Sequence, residues 1–211
     1  VLWKDPFSRS PPGMEEEINI GLFGGSFDPI HNGHLLLARW TKNELALDRV
    51  IFIPAAIPPH KQHVLLTDAN HRFRMVQIAV EPYPDFEASD IELRRAGVSY
   101  TIDTVLYFKK KLKLHRRNLY LIIGADSLVD FGNWKSPEKI VANCQLAVLQ
   151  RPDVDIDRAE PIFRQSAILL QSPLIDISAT EIRRRVKMGL PIAELVPPAV
   201  ERYIHELGLY R

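Results

Sequence analysis

The 211-residue chain has a single cysteine, Cys144, so no disulfide can form within it. That residue opens the apolar run Cys144-Gln-Leu-Ala-Val-Leu149, where an inert core thiol is expected rather than a nucleophile. No stretch stays apolar for the length needed to span a bilayer, and no signal-peptide pattern is present, so a reducing cytoplasm is the expected compartment. Charge of one sign is also lacking. The 27 basic and 26 acidic residues leave a net charge of +1, without the electrostatic footprint of a nucleic-acid binder or a polybasic membrane anchor. Any anionic ligand must therefore be met by locally placed positive charge. Internal repeats and low-complexity tracts are absent, and nothing in the pattern assigns an oligomeric state.

What is present is enough for one sizeable core: 46% of residues are hydrophobic and 25% charged. Residues 1–13 (VLWKDPFSRSPPG) begin without methionine and mix proline, serine and isolated aromatics without periodicity. They are expected to be an expression remnant ahead of a natural start at Met14, with residues 14–211 forming one domain. From Ile18 onward, short apolar runs alternate with helical patterns, as in βαβ units that build a parallel sheet. Strands are expected at Ile18–Phe23, Val50–Ile53, Leu119–Ile123, Leu146–Gln150 and Ile168–Gln171. Helices are expected at Gly33–Leu47, Asp68–Val80 with an aspartate N-cap, Thr101–Leu114 with a threonine in that role, Ser178–Lys187 and Pro198–Leu207. Glu87–Arg94 alternates like a half-exposed strand, with a loop as the alternative, and Arg151–Pro161 reads as a surface loop. The fold class is α/β: a Rossmann-like, doubly wound parallel sheet with helices on both faces and a small C-terminal helical part.

In such a sheet, ligands bind outside the carboxyl ends of the strands. The first strand runs into Gly24-Gly25-Ser26-Phe27-Asp28-Pro29-Ile30-His31-Asn32-Gly33-His34 just before a helical pattern. Gly24 and Gly25 permit a sharp turn and close approach of backbone to phosphate, Ser26 adds a hydroxyl donor, and Asp28 is suited to holding the loop through backbone N–H groups. His31 and His34 flank the helix start, where both can point donors at the oxyanion that a helix N-terminus attracts. The competing readings are a capped turn with satisfied surface histidines, or a metal site for which no third ligand accompanies the pair.

The pattern G-x-F-D-P-x-H-x-G-H, standing at Gly25 to His34, resembles the signature of the nucleotidyltransferase superfamily related to class I aminoacyl-tRNA synthetases. Within it, Ile18 to Arg211 resembles the bacterial nicotinate-mononucleotide adenylyltransferases. Near the C-terminus, Ser178-Ala-Thr180-Glu-Ile-Arg183 opens a helix with two hydroxyls and an arginine, which taken alone reads more readily as an ordinary N-cap before a basic face than as a phosphate clamp. As S-x-T-x-x-R it resembles the family's second signature, which implies that Ser178, Thr180 and Arg183 contact ATP phosphates. Arg184 and Arg185 are left as surface charge. The resemblance likewise implies an adenylyl transfer in which His31, His34 and Arg183 stabilise charge and Gly24, Gly25, Ser26, Phe27, Gly124 and Asp126 hold ATP. Mg²⁺ would be carried by the ATP phosphates and not by protein side chains. No base is required, because the attacking phosphate of a mononucleotide is already an anion.

The acceptor is read from three further places. Pro54 to Lys61 follows the second strand as a proline-stiffened loop ending in a cation; composition alone also allows a solvated surface loop, while the resemblance implies that Lys61 meets the mononucleotide. Ser99-Tyr100-Thr101 begins a helix whose free N–H groups suit a small carboxylate, the group that distinguishes nicotinate from nicotinamide. Trp134 can stack on a pyridine ring or pack on the core, and Asp126 can bond ribose hydroxyls or cap a helix. Arg151 is expected near the adenosine side. The implied substrates are ATP and nicotinate mononucleotide, with no nucleic acid or membrane partner. The alternatives are another adenylyl- or cytidylyltransferase, for instance one acting on phosphopantetheine, and a non-catalytic nucleotide-binding protein.

Overall fold

The computed structural model describes residues 18–56, 66–95 and 98–211. Expectations that fall on residues 1–17 and on Lys61 lie outside that set. Among the described residues, six strands form one sheet: β1 (Ile20–Gly25), β2 (Arg49–Pro54), β3 (Phe86–Ala88), β4 (Leu119–Gly124), β5 (Gln145–Leu149) and β6 (Ala167–Leu170). Their order is β3-β2-β1-β4-β5-β6, with every neighbouring pair parallel. The direction of winding reverses between β1 and β4, and at that point their carboxyl ends leave a crevice for a ligand.

The strands are apolar on both sides, which only a sheet covered on both faces can tolerate. Phe23, Val50, Phe52, Ile122, Ala147 and Leu149 pack against α1 (Asn32–Glu44), α2 (Ala69–Val80), α7 (Ala179–Lys187) and α8 (Pro198–Glu206). The alternate residues Leu22, Ile51, Ile53, Leu121, Ile123, Leu146 and Val148 face α3 (Thr101–Lys111), α4 (Ala125–Val129), α5 (Pro137–Asn143) and α6 (Pro161–Gln165). This is the expected doubly wound α/β architecture, with α7 and α8 forming the small C-terminal helical part. Among the described residues, no helix is long and apolar enough to cross a membrane.

The differences from expectation are local. The strand sought at Glu87–Arg94 is confined to Phe86–Ala88 at the sheet edge. Beyond it, the Ser89 hydroxyl accepts from Ile91 N–H and Asp90 engages Arg94, and such local bonds compete with a strand ladder. Three short helices, α4, α5 and α6, were not anticipated, because five to seven residues show too little of the helical period. The last of them begins at Pro161, and a single 3₁₀ turn at Ile156–Arg158 lies within the Arg151–Pro161 loop. Asp68 caps α2 as expected, accepting from Asn70 N–H, whereas Thr101 is already helical and the N-cap of α3 is Tyr100, which makes no side-chain cap bond. Cys144 is buried at the end of α5, where burial pushes its thiol up to about 12.

Candidate active site

β1 delivers its chain directly into the loop that precedes α1. A Cβ on Gly25 would stand 3.0 Å from the Phe27 ring, and one on Gly33 would stand 2.9 Å from Ile175 Cγ2 and 3.0 Å from His31 Nδ1. Glycine at these two positions is thus a packing requirement that brings the late Ile175 segment against the histidine turn. The rings of His31 and His34 stack with centroids 3.7 Å apart. His31 N–H donates to His34 Nδ1 over 3.3 Å, which leaves the proton of a neutral His34 on Nε2. Burial pushes His31 down to about 4, and the charge of Arg151 adds to the effect. Burial, then His31, then Arg151 hold His34 well below its ordinary value. The pair is therefore neutral near pH 7, a donor set that gains proton affinity when an anion arrives.

The second motif meets the first across most of the chain. Arg183 Nη1 donates to the carbonyl of Asp28 over 2.7 Å, and its Nη2 to Thr180 Oγ1 over 3.3 Å. Ser178 caps α7, its hydroxyl accepting from Glu181 N–H at 3.2 Å. Arg184 and Arg185 both bond Glu181 and stay outside the site, as expected. A cleft of about 890 Å³ lies between the two motifs, lined by Ser26, Phe27, His31, His34 and Arg183 together with Gly124, Asp126, Ser178 and Thr180. Within it the Phe27 ring is itself core, 2% exposed and 5.0 Å edge-on from His34, so it supports the imidazole from beneath. Asp126 does not cap α4, since Gly124 holds that position; its carboxylate is largely exposed, 3.9 Å from Arg151.

Gly24 and Gly25, expected at ATP, line a second cavity of about 320 Å³ and not the larger cleft. The reason is the turn itself: both glycines are still in β1, and the left-handed Phe27, with φ 46°, redirects the chain only afterwards. Tyr100, Thr101 and Trp134 line this smaller cavity together. Trp134 packs 5.1 Å from Phe131, and Lys135 Nζ lies 4.0 Å from the centre of the Tyr100 ring. Both cavities share Phe23, Ser26 and Gly124, at the carboxyl ends of β1 and β4. Among the described residues, no group of three or more His, Cys, Asp or Glu is placed to hold a metal ion.

Two residues of this region were missed in the sequence. Glu92, buried in the wall of the smaller cavity, accepts from Thr104 Oγ1 at 2.8 Å, and burial pushes its carboxyl up. Arg72, 1% exposed, donates to the carbonyls of Thr67 at 2.8 Å, Ser26 at 2.7 Å, Ala55 at 2.8 Å and Ala56 at 3.1 Å. Its signal was present: Arg72 falls on the same helical face as the buried Met75, Val76 and Ala79, an unusual place for a charge. Asp28 is buried as anticipated and accepts one backbone N–H, from Thr67 at 3.3 Å, but its closest partner is the Tyr210 hydroxyl at 2.7 Å.

The cytidylyltransferase-like family model matches residues 22–185. A Clostridium tetani protein named "probable nicotinate-nucleotide adenylyltransferase" is 42% identical over 198 residues, covering 90% of this chain and 98% of its own. A Thermoanaerobacter protein of the same name is 40% identical over 205 residues, covering 94% and 97%. Among solved structures, Plasmodium falciparum nicotinic acid mononucleotide adenylyltransferase complexed with NaAD aligns with a TM-score of 0.72 at 21% identity, over 92% of this chain and 97% of that one. That likeness is one of fold, and the sequence relatives carry the assignment further. The chain belongs to the cytidylyltransferase-like family and, within it, to the bacterial nicotinate-nucleotide adenylyltransferases.

Proposed function

We propose that the protein transfers the adenylyl group of ATP to nicotinate mononucleotide, giving nicotinate adenine dinucleotide and pyrophosphate, as a single domain over residues 14–211 working in the cytoplasm. The observation that carries this reading is that the larger cleft, lined by both motifs, and an aromatic-walled cavity share lining residues at Ser26 and Gly124. ATP occupies the larger space and the pyridine nucleotide the smaller, so the acceptor phosphate arrives at these shared residues facing the α-phosphorus. The phosphate oxygen forms the new P–O bond as the bond to pyrophosphate breaks, and no proton need be removed. His34 Nε2–H and Arg183 donate to the oxygens on which charge accumulates, His31 supports His34 by stacking, and Ser178 and Thr180 stand at the amino end of α7 toward the phosphates. Gly124 and Asp126 face the nucleoside side, with Arg151 beside them.

Mg²⁺ suits this donor set because it binds through phosphate oxygens and its own waters, and when bound it supplies charge neutralisation for the leaving pyrophosphate. On the acceptor side, Trp134 offers a ring face and the N–H groups at Tyr100 and Thr101 meet the pyridine carboxylate, with Gly24 and Gly25 bordering the same space. Lys61 is assigned to the acceptor phosphate on the motif alone. The test is pyrophosphate release from the purified protein with ATP, Mg²⁺ and one of three acceptors. Nicotinate mononucleotide is expected to give a kcat/KM at least about tenfold above nicotinamide mononucleotide, since the amide lacks the charge that the helix start attracts. Equal values for the two, or turnover only with phosphopantetheine, would falsify the assignment.

A further inference from the structure

The loop that carries the two histidines is held from behind by the chain segment after α8. Asp28, in the middle of that loop, is 3% exposed. Its Oδ1 accepts from Tyr210 Oη at 2.7 Å, its Oδ2 from Thr67 N–H at 3.3 Å, and its carbonyl from Arg183 Nη1 at 2.7 Å. The loop's next anchor also comes from the C-terminal part: Asn32 N–H donates to Leu195 O, and Asn32 Nδ2 to Glu194 O, each at 2.9 Å. Tyr210 reaches Asp28 from a left-handed backbone, with φ 65°, a conformation that a bulky L residue adopts at a cost and keeps only where its surroundings hold it. Three residues earlier the chain leaves α8, and Gly208, with φ 60°, helps turn it back.

We propose that Tyr210 is a positioning residue for adenylyl transfer, its hydroxyl fixing the Asp28 carboxylate so that His31, His34 and Arg183 keep a common geometry toward the triphosphate. It touches no reacting atom. Burial, followed by the charge of Asp28, pushes the phenol well above its ordinary value, so it is a protonated donor near neutral pH. The burial of Asp28 explains why the bond matters: a carboxylate with so little access to water that loses one of its donors moves toward another, and the loop carries the two imidazoles with it. The main chain of Asp28 is also a partner of Arg183, so the displacement reaches both phosphate-binding motifs at once. Because alignment and not substrate affinity is disturbed, the effect belongs in turnover.

The proposal rests on the adenylyltransferase reading for its kinetic test, and an NMR readout keeps the two separable. Tyr210→Phe, which removes only the hydroxyl, is expected to lower kcat about tenfold with the acceptor KM within twofold of wild type. In the same variant, without substrates, the His34 imidazole ¹⁵N shifts should move. Asp28→Ala, which removes the acceptor, should give at least a comparable loss, and adding Tyr210→Phe to it should cost nothing more. Unchanged kcat and unchanged His34 shifts would overturn the proposal, even if Tm fell. A loss appearing only in the acceptor KM, or a Tyr210→Phe chain too unstable to assay, would overturn it as well, since the hydroxyl would then serve binding or folding. If wild type makes no dinucleotide at all, the function assignment fails while the NMR comparison still decides the positioning role.

Discussion

The two cavities that share Ser26 and Gly124 are held by different kinds of side-chain contact. The nucleotide cleft is assembled from distant parts of the chain: Arg183 reaches Asp28, Tyr210 reaches Asp28, and Asn32 is tied to Glu194 and Leu195. The smaller cavity also takes its wall from several segments, between Leu22 and Ile140, but these side-chain contacts around it are local: Glu92, Arg95 and Thr104 are joined across at most twelve residues and Phe131 packs on Trp134. Their buried titratable groups also differ in sign. The nucleotide side holds two histidines depressed by burial, while the acceptor side holds a carboxyl raised by it. The larger cleft thus depends on long-range side-chain contacts, whereas the polar bonds in the wall of the smaller one are short-range.

That contrast can be broken most forcefully at His34. His34→Ala is expected to lower kcat by about a hundred- to a thousandfold, the loss typical of one oxyanion donor, with ATP KM changed far less. Steady-state kinetics that vary ATP and acceptor separately measure it, and turnover within a few-fold of wild type would remove His34 from the mechanism.

The next effect is on stability and differs in sign between the two sides. The folded pKa of His31, about 4, lies below its ordinary 6.5, so between these values the unfolded chain takes up a proton that the folded chain refuses. Stability from this group is complete above pH 6.5 and is lost as pH falls toward 4. Glu92 is raised above its ordinary 4.5, so its contribution is present below that pH and is lost as pH rises through the folded value. Thermal unfolding across pH should therefore show His31→Gln flattening the acid limb and Glu92→Gln flattening the limb above about pH 4.5. The same limb flattened by both variants would contradict the contrast.

The smallest effect is expected at the acceptor wall. Trp134→Ala should reduce kcat/KM for the mononucleotide about tenfold, consistent with losing one aromatic stacking partner, and leave ATP KM within twofold. A matching rise in ATP KM, from the same kinetic series, would mean that the two cavities are not separable.

Much of this was legible in one dimension. The alternation of apolar runs with helical patterns gave five of the six strands nearly in place, because fully buried parallel strands must be apolar on both sides. The edge strand β3 was blurred, since three residues carry too little period and the following Ser89 and Asp90 bond locally. The turn from Gly25 to His34 announced itself by the joint occurrence of glycines, histidines and a helix start, each with its own reason to face phosphate. Arg72 stood on the apolar face of its helix, a visible signal, but its role was not readable from that alone. A basic residue in a helix is ordinarily solvated, and only tertiary packing shows four carbonyls waiting for its guanidinium.

The amino-acid sequence by itself determined the α/β class, the order of the longer elements and the chemical character of the histidine turn and the late hydroxyl-arginine helix start, because these depend on local periodicity and side-chain type. Only the tertiary structure decided that the segments converge, that Gly24 and Gly25 border the smaller cavity, and that the histidines are buried as a neutral stacked pair. Convergence is a matter of which carbonyl, carboxylate and ring lie within a few ångströms across more than a hundred residues of chain, as Asp28 shows with Arg183 and Tyr210. Such distances are set by how the two faces of the sheet are packed, and no local pattern encodes them.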